Sequence, residues 1–111
     1  MFKLGKVGEK KAVKYLISKG YEIIEKNYRC KFGEIDIIAR KDDVIVFVEV
    51  KTRKDNKFGY GFEAVDRKKI NKIIKVAKRF LISRNIENPC RFDVISIDAD
   101  TITHIENAFL V

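Results

Sequence analysis

Hydrophobic positions recur along this chain with two different periods, and each change of period marks the boundary of a predicted helix or strand. Residues 3–19 and 66–84 repeat apolar side chains at helical spacing, as in a helix with one buried face. Five shorter stretches are rich in β-branched residues or alternate apolar with polar positions, which is typical of strands. The predicted strands cover residues 21–29, 34–40, 44–52, 91–97 and 101–106.

Turn-forming residues divide these elements and give their order. Gly20 closes the first helix, Phe32-Gly33 separates the first two strands, and Lys41-Asp42-Asp43 forms a polar hairpin turn. Residues 54–61 contain two glycines and are predicted to form a loop. The order α-β-β-β-α-β-β predicts an α/β fold, a mixed β-sheet flanked by helices, within one domain spanning residues 1–111.

The third predicted strand carries two charged residues on one of its faces. Side chains alternate along a strand, so Glu49 and Lys51 share a face, and the valines at 46, 48 and 50 point the other way. Asp36 lies in the middle of the preceding strand, between apolar neighbours. Because a short turn joins these two strands, we expect them to be antiparallel neighbours and Asp36 to approach Glu49.

Two interpretations fit that group of charges. A salt bridge between Lys51 and one carboxylate is the simpler, but it leaves the second carboxylate unexplained. Burying an ion costs several kcal/mol, and a like-charged neighbour adds to the cost. A divalent cation would neutralise both carboxylates and leave Lys51 available for a phosphate or a water molecule.

Glu9 favours the cation. On a helical wheel it falls at the centre of an apolar arc rather than on the lysine side of the first helix. The arc consists of Phe2, Ala12, Val13, Leu16 and Ile17. A glutamate that faces the core needs a partner such as a metal, a lysine or backbone amides; the alternative is a charge favoured by the helix macrodipole.

The charge distribution indicates a polyanionic partner. The chain carries 24 basic and 16 acidic residues, a formal net charge of +8. Residues 51–84 hold twelve basic against three acidic groups, residues 1–30 hold eight against three, and residues 31–50 are acidic on balance. Acidic residues that bind cations, flanked by basic residues that bind phosphates, suit an enzyme acting on nucleic acid.

Cysteine and histidine offer no competing chemistry. Cys30 and Cys90 have no zinc-site spacing, and we expect two reduced thiols. His104 is distant in sequence from every candidate acid and is expected to be structural or at the surface. The start of the chain has no signal-peptide pattern, and no apolar run approaches the roughly 20 residues of a membrane span. We therefore expect a cytoplasmic protein without a membrane partner.

Together these motifs carry a resemblance that covers nearly the whole chain. Gly33-Glu34-Ile35-Asp36 followed by Glu49-Val50-Lys51 resembles the PD-(D/E)XK nuclease signature, although Ile35 replaces its proline. The wider pattern resembles the YraN-type uncharacterised protein family, whose members look like archaeal Holliday-junction resolvases. That pattern adds Gly8-Glu9, Asn27-Tyr28-Arg29, Thr52-Arg53, Phe58-Gly59, Lys69 and Arg91-Phe92-Asp93-Val94.

The resemblance implies a restriction-endonuclease-like fold and a role for each matching residue. Asp36 and Glu49 would coordinate Mg²⁺ (or Mn²⁺), with the Val50 carbonyl as a further ligand. Lys51 would activate water and stabilise charge at the scissile phosphate, and Glu9 would be the helix-borne acid near the metal. Phosphate contacts are expected from basic residues on the second helix and the loop before it; the candidates are Arg53, Lys54, Lys57, Lys68, Lys69 and Lys72.

The main hypothesis is therefore a metal-dependent DNA endonuclease, with branched DNA such as Holliday junctions among its substrates. Cutting a junction requires two symmetric active sites, so the hypothesis includes a homodimer. The alternative is a non-catalytic nucleic-acid-binding protein with a nuclease-like fold. A third interpretation, an interaction protein with a basic surface, leaves the inward-facing acids unexplained.

Overall fold

Two helices lie on opposite faces of one five-stranded sheet in the computed structural model, which describes residues 4–53, 67–99 and 101–109. The elements are α1 (Leu4–Ser18), β1 (Glu22–Cys30), β2 (Gly33–Lys41), β3 (Val44–Arg53), α2 (Arg67–Ser83), β4 (Cys90–Asp98) and β5 (Thr101–Ile105). Their order and the mixed sheet flanked by helices confirm the predicted fold class. Each end lies within one residue of the predicted position.

The strands lie in the sheet in chain order, β1-β2-β3-β4-β5. β3 and β4 are parallel, and every other neighbouring pair is antiparallel. A parallel pair needs a crossover connection, and α2 provides it between β3 and β4. The predicted loop at residues 54–61, with Lys54 and Lys57, lies outside the described residues.

A two-residue turn sets the register between β2 and β3. Asp42 and Asp43 both have positive φ, at 49° and 71°. This is the backbone of a hairpin turn whose twist matches that of the strands, and Asp tolerates it better than most residues. The turn pairs Lys41 with Val44 and, further along the hairpin, Ile37 with Val48. It therefore decides which residues meet at the far end of the hairpin.

Each face of the sheet has its own hydrophobic core. The α1 face buries Ala12 and Leu16 of the helix against Val46, Val48 and Ile95 of the sheet. The α2 face buries side chains from α2 and from three strands of the sheet; its largest members include Phe47, Phe80, Phe92, Ile35 and Ile38. The alternation predicted for β3 is confirmed, because its valines and its Ile45 and Phe47 enter different cores.

β2 departs from regular alternation at Asp36. Ile37 packs on the α1 face, whereas Ile35 packs on the α2 face, although residues two apart in a regular strand share a face. Asn27, between the two β1 residues that pair with Ile35 and Ile37, has a φ of 53°. Asparagine is one of the few residues that adopt this conformation readily. Both strands are thus irregular at the level of Asp36.

A buried polar network joins β4, β5 and α1 at one end of the sheet. Asp93 accepts two hydrogen bonds from Arg91, one from His104 Nε2 at 2.7 Å and one from the Asn107 amide. The other ring nitrogen of His104 lies 3.2 Å from the hydroxyl of Tyr15. The side chain of His104 is 8% exposed. Of the two expected positions for His104, structural or at the surface, the structure shows the structural one.

The helices and the cysteines bear on membrane partners and on thiol chemistry. Neither described helix is long and apolar enough to cross a membrane. Cys30 and Cys90 are both free thiols, and Cys90 is exposed.

Candidate active site

The candidate site begins where the backbone ladder between β2 and β3 ends. Ile37 and Val48 form the last backbone pair of the ladder at this end. Beyond it, the Val50 amide donates a hydrogen bond of 2.8 Å to Oδ2 of Asp36 instead of to a β2 carbonyl. The Asp36 carboxylate therefore takes the place of a backbone acceptor, and its side chain lies between the two strands.

Asp36 and Glu49 form a coupled carboxyl pair in this gap. The two side chains are hydrogen-bonded to each other, and Glu49 is 11% exposed. Burial and the neighbouring negative charge of Glu49 raise the pKa of Asp36 to about 7, although the Val50 hydrogen bond lowers it. Near neutral pH Asp36 is therefore about half protonated, and a cation bound by this carboxyl group would displace the proton.

Two lysines from different elements approach Glu49. Nζ of Lys69, from α2, lies 3.2 Å from Oε1 of Glu49, and Nζ of Lys51 lies 3.9 Å from the same oxygen. Burial and the hydrogen bond with Lys69 lower the pKa of Lys51, in spite of the opposing effect of Glu49. Burial alone would lower the pKa of Lys69, but its contacts with Lys51 and Glu49 raise it overall. Lys69 is therefore the more firmly charged of the two.

The contact between α1 and β3 depends on a glycine. A Cβ at Gly8 would overlap Oγ1 of Thr52, closer than real side-chain atoms approach one another, and would lie 3.2 Å from the Cβ of Thr52, which is a tight contact. Gly8 thus lets the helix backbone lie directly against β3. The next residue, Glu9, is consequently held at the level of the site.

Glu9 adjoins the carboxyl pair but is bound by another residue. Its side chain is hydrogen-bonded to Asn27, and burial followed by the charge of Asp36 raises its pKa. The apolar arc predicted for α1 is only partly correct, because Ile17 is 57% exposed. Among the described side chains of α1, Ala12 and Leu16 are fully buried and Glu9 is half-buried.

The structure brings together Asp36, Glu49 and Lys51, and adds Lys69 to them. Within the described residues, no group of three or more His, Cys, Asp or Glu side chains is arranged to hold a metal ion. The carboxylate ligands available to a cation are therefore Asp36 and Glu49. Amide and carbonyl of a strand residue lie on the same edge, so the Val50 carbonyl faces the same gap as its amide. Oxygen donors of this kind fit Mg²⁺ or Mn²⁺, whereas the role of Glu9 as a ligand stays a prediction.

Comparison with known proteins places the chain in a family. Residues 8–97 match the model of the family described as "Uncharacterised protein family UPF0102". A UPF0102 protein of Clostridioides difficile is 56% identical over 108 residues, which cover 95% of each chain. A UPF0102 protein of Sulfurihydrogenibium sp. is 53% identical over 106 residues, which cover 95% of this chain and 92% of the relative. The chain belongs to the UPF0102 family.

This membership confirms the YraN-type resemblance inferred from the sequence. The matched segment begins at Gly8 and ends within β4, so it contains every residue of the carboxyl pair, both lysines and Asp93. The family description carries no activity, so the chemistry of this UPF0102 chain rests on its own geometry.

The candidate phosphate-binding residues of the UPF0102 chain fall into three groups. Lys68 and Lys72 are exposed on α2. Lys69 turns towards Glu49 and is half-buried. Lys54, Lys57 and the side chain of Arg53 lie outside the described residues, so their assignment stays a prediction.

Sequence reasoning did not give a role to Asn27 or a contact to Lys69. Asn27 carried one usable signal, since an asparagine inside a strand-like run is a residue that tolerates positive φ. Lys69 carried none beyond its match to the family pattern, because it lies far along the chain from Glu49 and on another element. Only the packing of α2 on β3 reveals that contact.

Proposed function

We propose that this UPF0102 chain is a Mg²⁺- or Mn²⁺-dependent endonuclease of the PD-(D/E)XK superfamily that hydrolyses phosphodiester bonds in DNA in the cytoplasm. The observation that carries the proposal is the meeting of Asp36, Glu49 and Lys51 at the end of the β2–β3 ladder. Two carboxyl groups and an amine from one hairpin converge there, in an otherwise apolar layer. A purely structural ion pair would need one acid.

The carboxyl pair supplies the metal ligands. Asp36, Glu49 and the Val50 carbonyl would hold the cation, which supplies positive charge at the phosphate and lowers the pKa of the attacking water. Asp36 is fixed by the Val50 amide, so its orientation is set before any ligand arrives. The proton that Asp36 holds near neutral pH must leave when the cation binds.

Lys51 and Lys69 have different roles in the proposed reaction. Lys51 has a lowered pKa and lies beside the pair, so it is suited to accept the proton of the attacking water or to stabilise charge on the phosphate. Lys69, whose pKa is raised, remains a fixed positive charge near Glu49. In hydrolysis the water oxygen bonds to phosphorus, the ester P–O bond breaks, and the departing oxygen gains a proton.

Branched DNA, including four-way junctions, is part of the proposal, as is a homodimer. Support for the DNA partner comes from the basic segments on both sides of the acidic residues in sequence and from the exposed Lys68 and Lys72 of α2. A junction resolved symmetrically needs two copies of the site, which one chain of this length does not provide.

A non-catalytic nucleic-acid-binding protein is the second candidate. One observation favours it: Lys69 lies 3.2 Å from Glu49 and so already compensates part of the charge that a metal would neutralise. This candidate also requires salt-sensitive DNA binding but no cleavage. The two candidates differ in their response to divalent cations.

A cleavage assay separates these candidates. Labelled linear, flapped and four-way DNA is incubated with Mg²⁺ or Mn²⁺ and with the wild type, Asp36→Asn or Lys51→Met. We expect both substitutions to lower the cleavage rate by on the order of a hundred-fold or more, as for the loss of a group acting in the transition state. Glu22→Gln, which alters an exposed acid paired with Arg40, is the matched control and should leave the rate unchanged.

Cleavage that persists at the wild-type rate in Asp36→Asn and Lys51→Met would exclude the assigned site. Binding of all three DNAs without cleavage under either cation, by protein that melts cooperatively, would favour the second candidate. Thermal melting of each variant shows whether a lost activity reflects a lost fold.

A further inference from the structure

A cleft between α1 and β1 lies on the α1 face of the sheet, and its mostly apolar wall is surrounded by five lysines. Its volume is about 480 Å³. Val7 and Val13 contribute apolar wall, and Glu9 and Asn27 are part of the lining. The basic residues of the lining are Lys6, Lys10, Lys11, Lys14 and Lys26. This cleft is distinct from the α2 surface, which lies on the opposite side of the sheet.

The positive charge of the cleft is largely uncompensated. Three acids elsewhere on the surface have basic partners: Glu22 pairs with Arg40, Glu34 with Arg29, and Glu25 with Arg84. Within the described ranges, no carboxylate lies within ion-pair distance of Lys10, Lys11, Lys14 or Lys26. Four exposed ammonium groups around one concavity create a positive potential that attracts an anion with several charges.

The cleft adjoins the candidate site. Glu9 and Asn27, which line it, are hydrogen-bonded to each other, and Asp36 and Glu34 both act electrostatically on Glu9. A chain of phosphates bound by the lysines would therefore have one end beside Glu9, which lies within electrostatic range of Asp36. The α2 lysines approach the same pair from the other face through Lys69.

The shape of the cleft favours one strand over two. Its volume is in the range of small-ligand pockets, about 300–1,000 Å³, which admits a few groups of a polymer but not a double helix. Single-strand-binding proteins use a positively charged groove that follows the backbone. Lysine acts as a point charge, so such a groove contacts phosphates without reading bases.

We propose that the α1–β1 cleft binds the backbone of a single-stranded nucleic-acid segment, the strand that continues from the cleavage position. This inference rests on the proposed function, because it takes the substrate to be nucleic acid. It adds a second binding surface, separate from α2. It also specifies that the nucleic acid bound there is single-stranded.

Two triple variants test the proposal by fluorescence anisotropy, in EDTA to prevent cleavage. Lys10→Ala/Lys14→Ala/Lys26→Ala alters the cleft, and Lys68→Ala/Lys72→Ala/Lys78→Ala alters exposed lysines of α2 by the same charge. The probes are a labelled oligothymidylate and a labelled blunt duplex, across a salt series. Binding of a single strand weakens by about 0.7 log units per phosphate contact for each log unit of salt.

We expect the cleft variant to lose about two units of salt slope for the single strand, and on the order of tens-fold in affinity at moderate salt. Its affinity for the duplex should stay at the wild-type value. The α2 variant should show the reverse pattern. Lys10→Arg/Lys14→Arg/Lys26→Arg, which keeps the charge, should bind the single strand like the wild type.

Single-strand affinity that is unchanged in the cleft variant would overturn this inference and leave the proposed function intact, provided that the duplex still binds. An equal loss for both probes would also overturn it, because the cleft would then lack preference for a single strand. The inference would also be overturned if the cleft variant lost binding to anionic lipid vesicles but kept its binding to the oligothymidylate. Failure of the wild type to bind either probe would reject the DNA partner itself.

Discussion

Asp36 is held by two contacts that favour opposite protonation states. The amide of Val50 donates to its carboxylate, which favours the charged form, whereas burial and the adjacent Glu49 favour the neutral form. The outcome is a pKa of about 7, well above the ordinary value. The position of Asp36 at the end of the β2–β3 ladder therefore affects the charge of the candidate site.

The pKa of Asp36 predicts how stability depends on pH. Because the folded pKa is raised, the folded state binds a proton that the unfolded state has released between about pH 4 and pH 7. The free energy of unfolding should therefore fall as pH rises through this window, by at most about 4 kcal/mol for a pKa raised to about 7. Asp36→Asn should remove most of this fall, since the amide cannot ionise but can still accept from Val50.

Urea unfolding between pH 5 and pH 8 measures this effect in the wild type, Asp36→Asn and Glu22→Gln. The Glu22 variant should keep the wild-type slope, because that acid is exposed and remote from the pair. Mg²⁺ should restore part of the lost stability of the wild type at pH 8. A wild-type curve that rises between pH 5 and pH 8 would contradict the assigned protonation.

At the scale of elements, the position of α1 on the sheet depends on the absence of a side chain at Gly8. A glycine inside a helix costs about 0.5–1 kcal/mol relative to alanine, so propensity alone would favour replacement. The overlap between an added Cβ and Oγ1 of Thr52 opposes it. The close approach also carries Glu9 to the level of Asp36.

We predict that Gly8→Ala destabilises the protein by about 1–2 kcal/mol, because overpacking outweighs the gain in helix propensity. Thr52→Ala removes the clashing Oγ1 and Cγ2 atoms. In that background Gly8→Ala should be neutral or stabilising, which gives a coupling energy of about 1–3 kcal/mol in a double-mutant cycle.

Chemical denaturation of the four proteins gives the coupling directly. Lys11→Ala, an exposed change on the same helix, should stay within about 0.5 kcal/mol of the wild type. A Gly8→Ala variant more stable than the wild type would show that α1 moves without cost.

At the scale of the whole molecule, one buried carboxylate ties together several elements. Asp93 of β4 binds Arg91, His104 of β5 and the Asn107 amide, and His104 in turn contacts Tyr15 of α1. Burial alone would raise the pKa of Asp93, but the hydrogen bonds from His104, Arg91 and Asn107 lower it below its ordinary value. β5 is an edge strand of only five residues, and this network ties it to β4 in addition to their backbone pairing.

Asp93→Asn should lower the free energy of unfolding by about 1–3 kcal/mol, because it removes the buried acceptor charge of the network and leaves Arg91 with only the exposed Glu106 as an ion-pair partner. A depressed folded pKa stabilises the fold above the unfolded value near 4, and this contribution is lost as pH falls through the folded pKa. The variant should therefore show a shallower acid transition below about pH 4 than the wild type.

Glu106→Gln is the matched control, since Glu106 pairs with the same arginine but is exposed. Its effect should stay below about 1 kcal/mol. Thermal and acid unfolding followed by circular dichroism provide the measurement. Equal losses in both variants would mean that burial of Asp93 adds nothing to the strength of the network.

The sequence alone determined the elements, their order and the side of the sheet that each β3 residue faces. Helical and strand periods are local properties, so they survive without knowledge of contacts. The short turn at Asp42-Asp43 made β2 and β3 neighbours, and this was enough to bring Asp36 towards Glu49. The family followed from motifs that span most of the chain.

Tertiary structure alone decided what surrounds those residues. Regular alternation predicted neither the change of faces at Asp36 nor the positive φ of Asn27, because both depend on pairing between strands. The contact of Lys69 with Glu49 and the lysine cleft between α1 and β1 arise from packing between distant segments. A periodic pattern gives the direction of a side chain but not its partner, since the partner is set by register and helix docking.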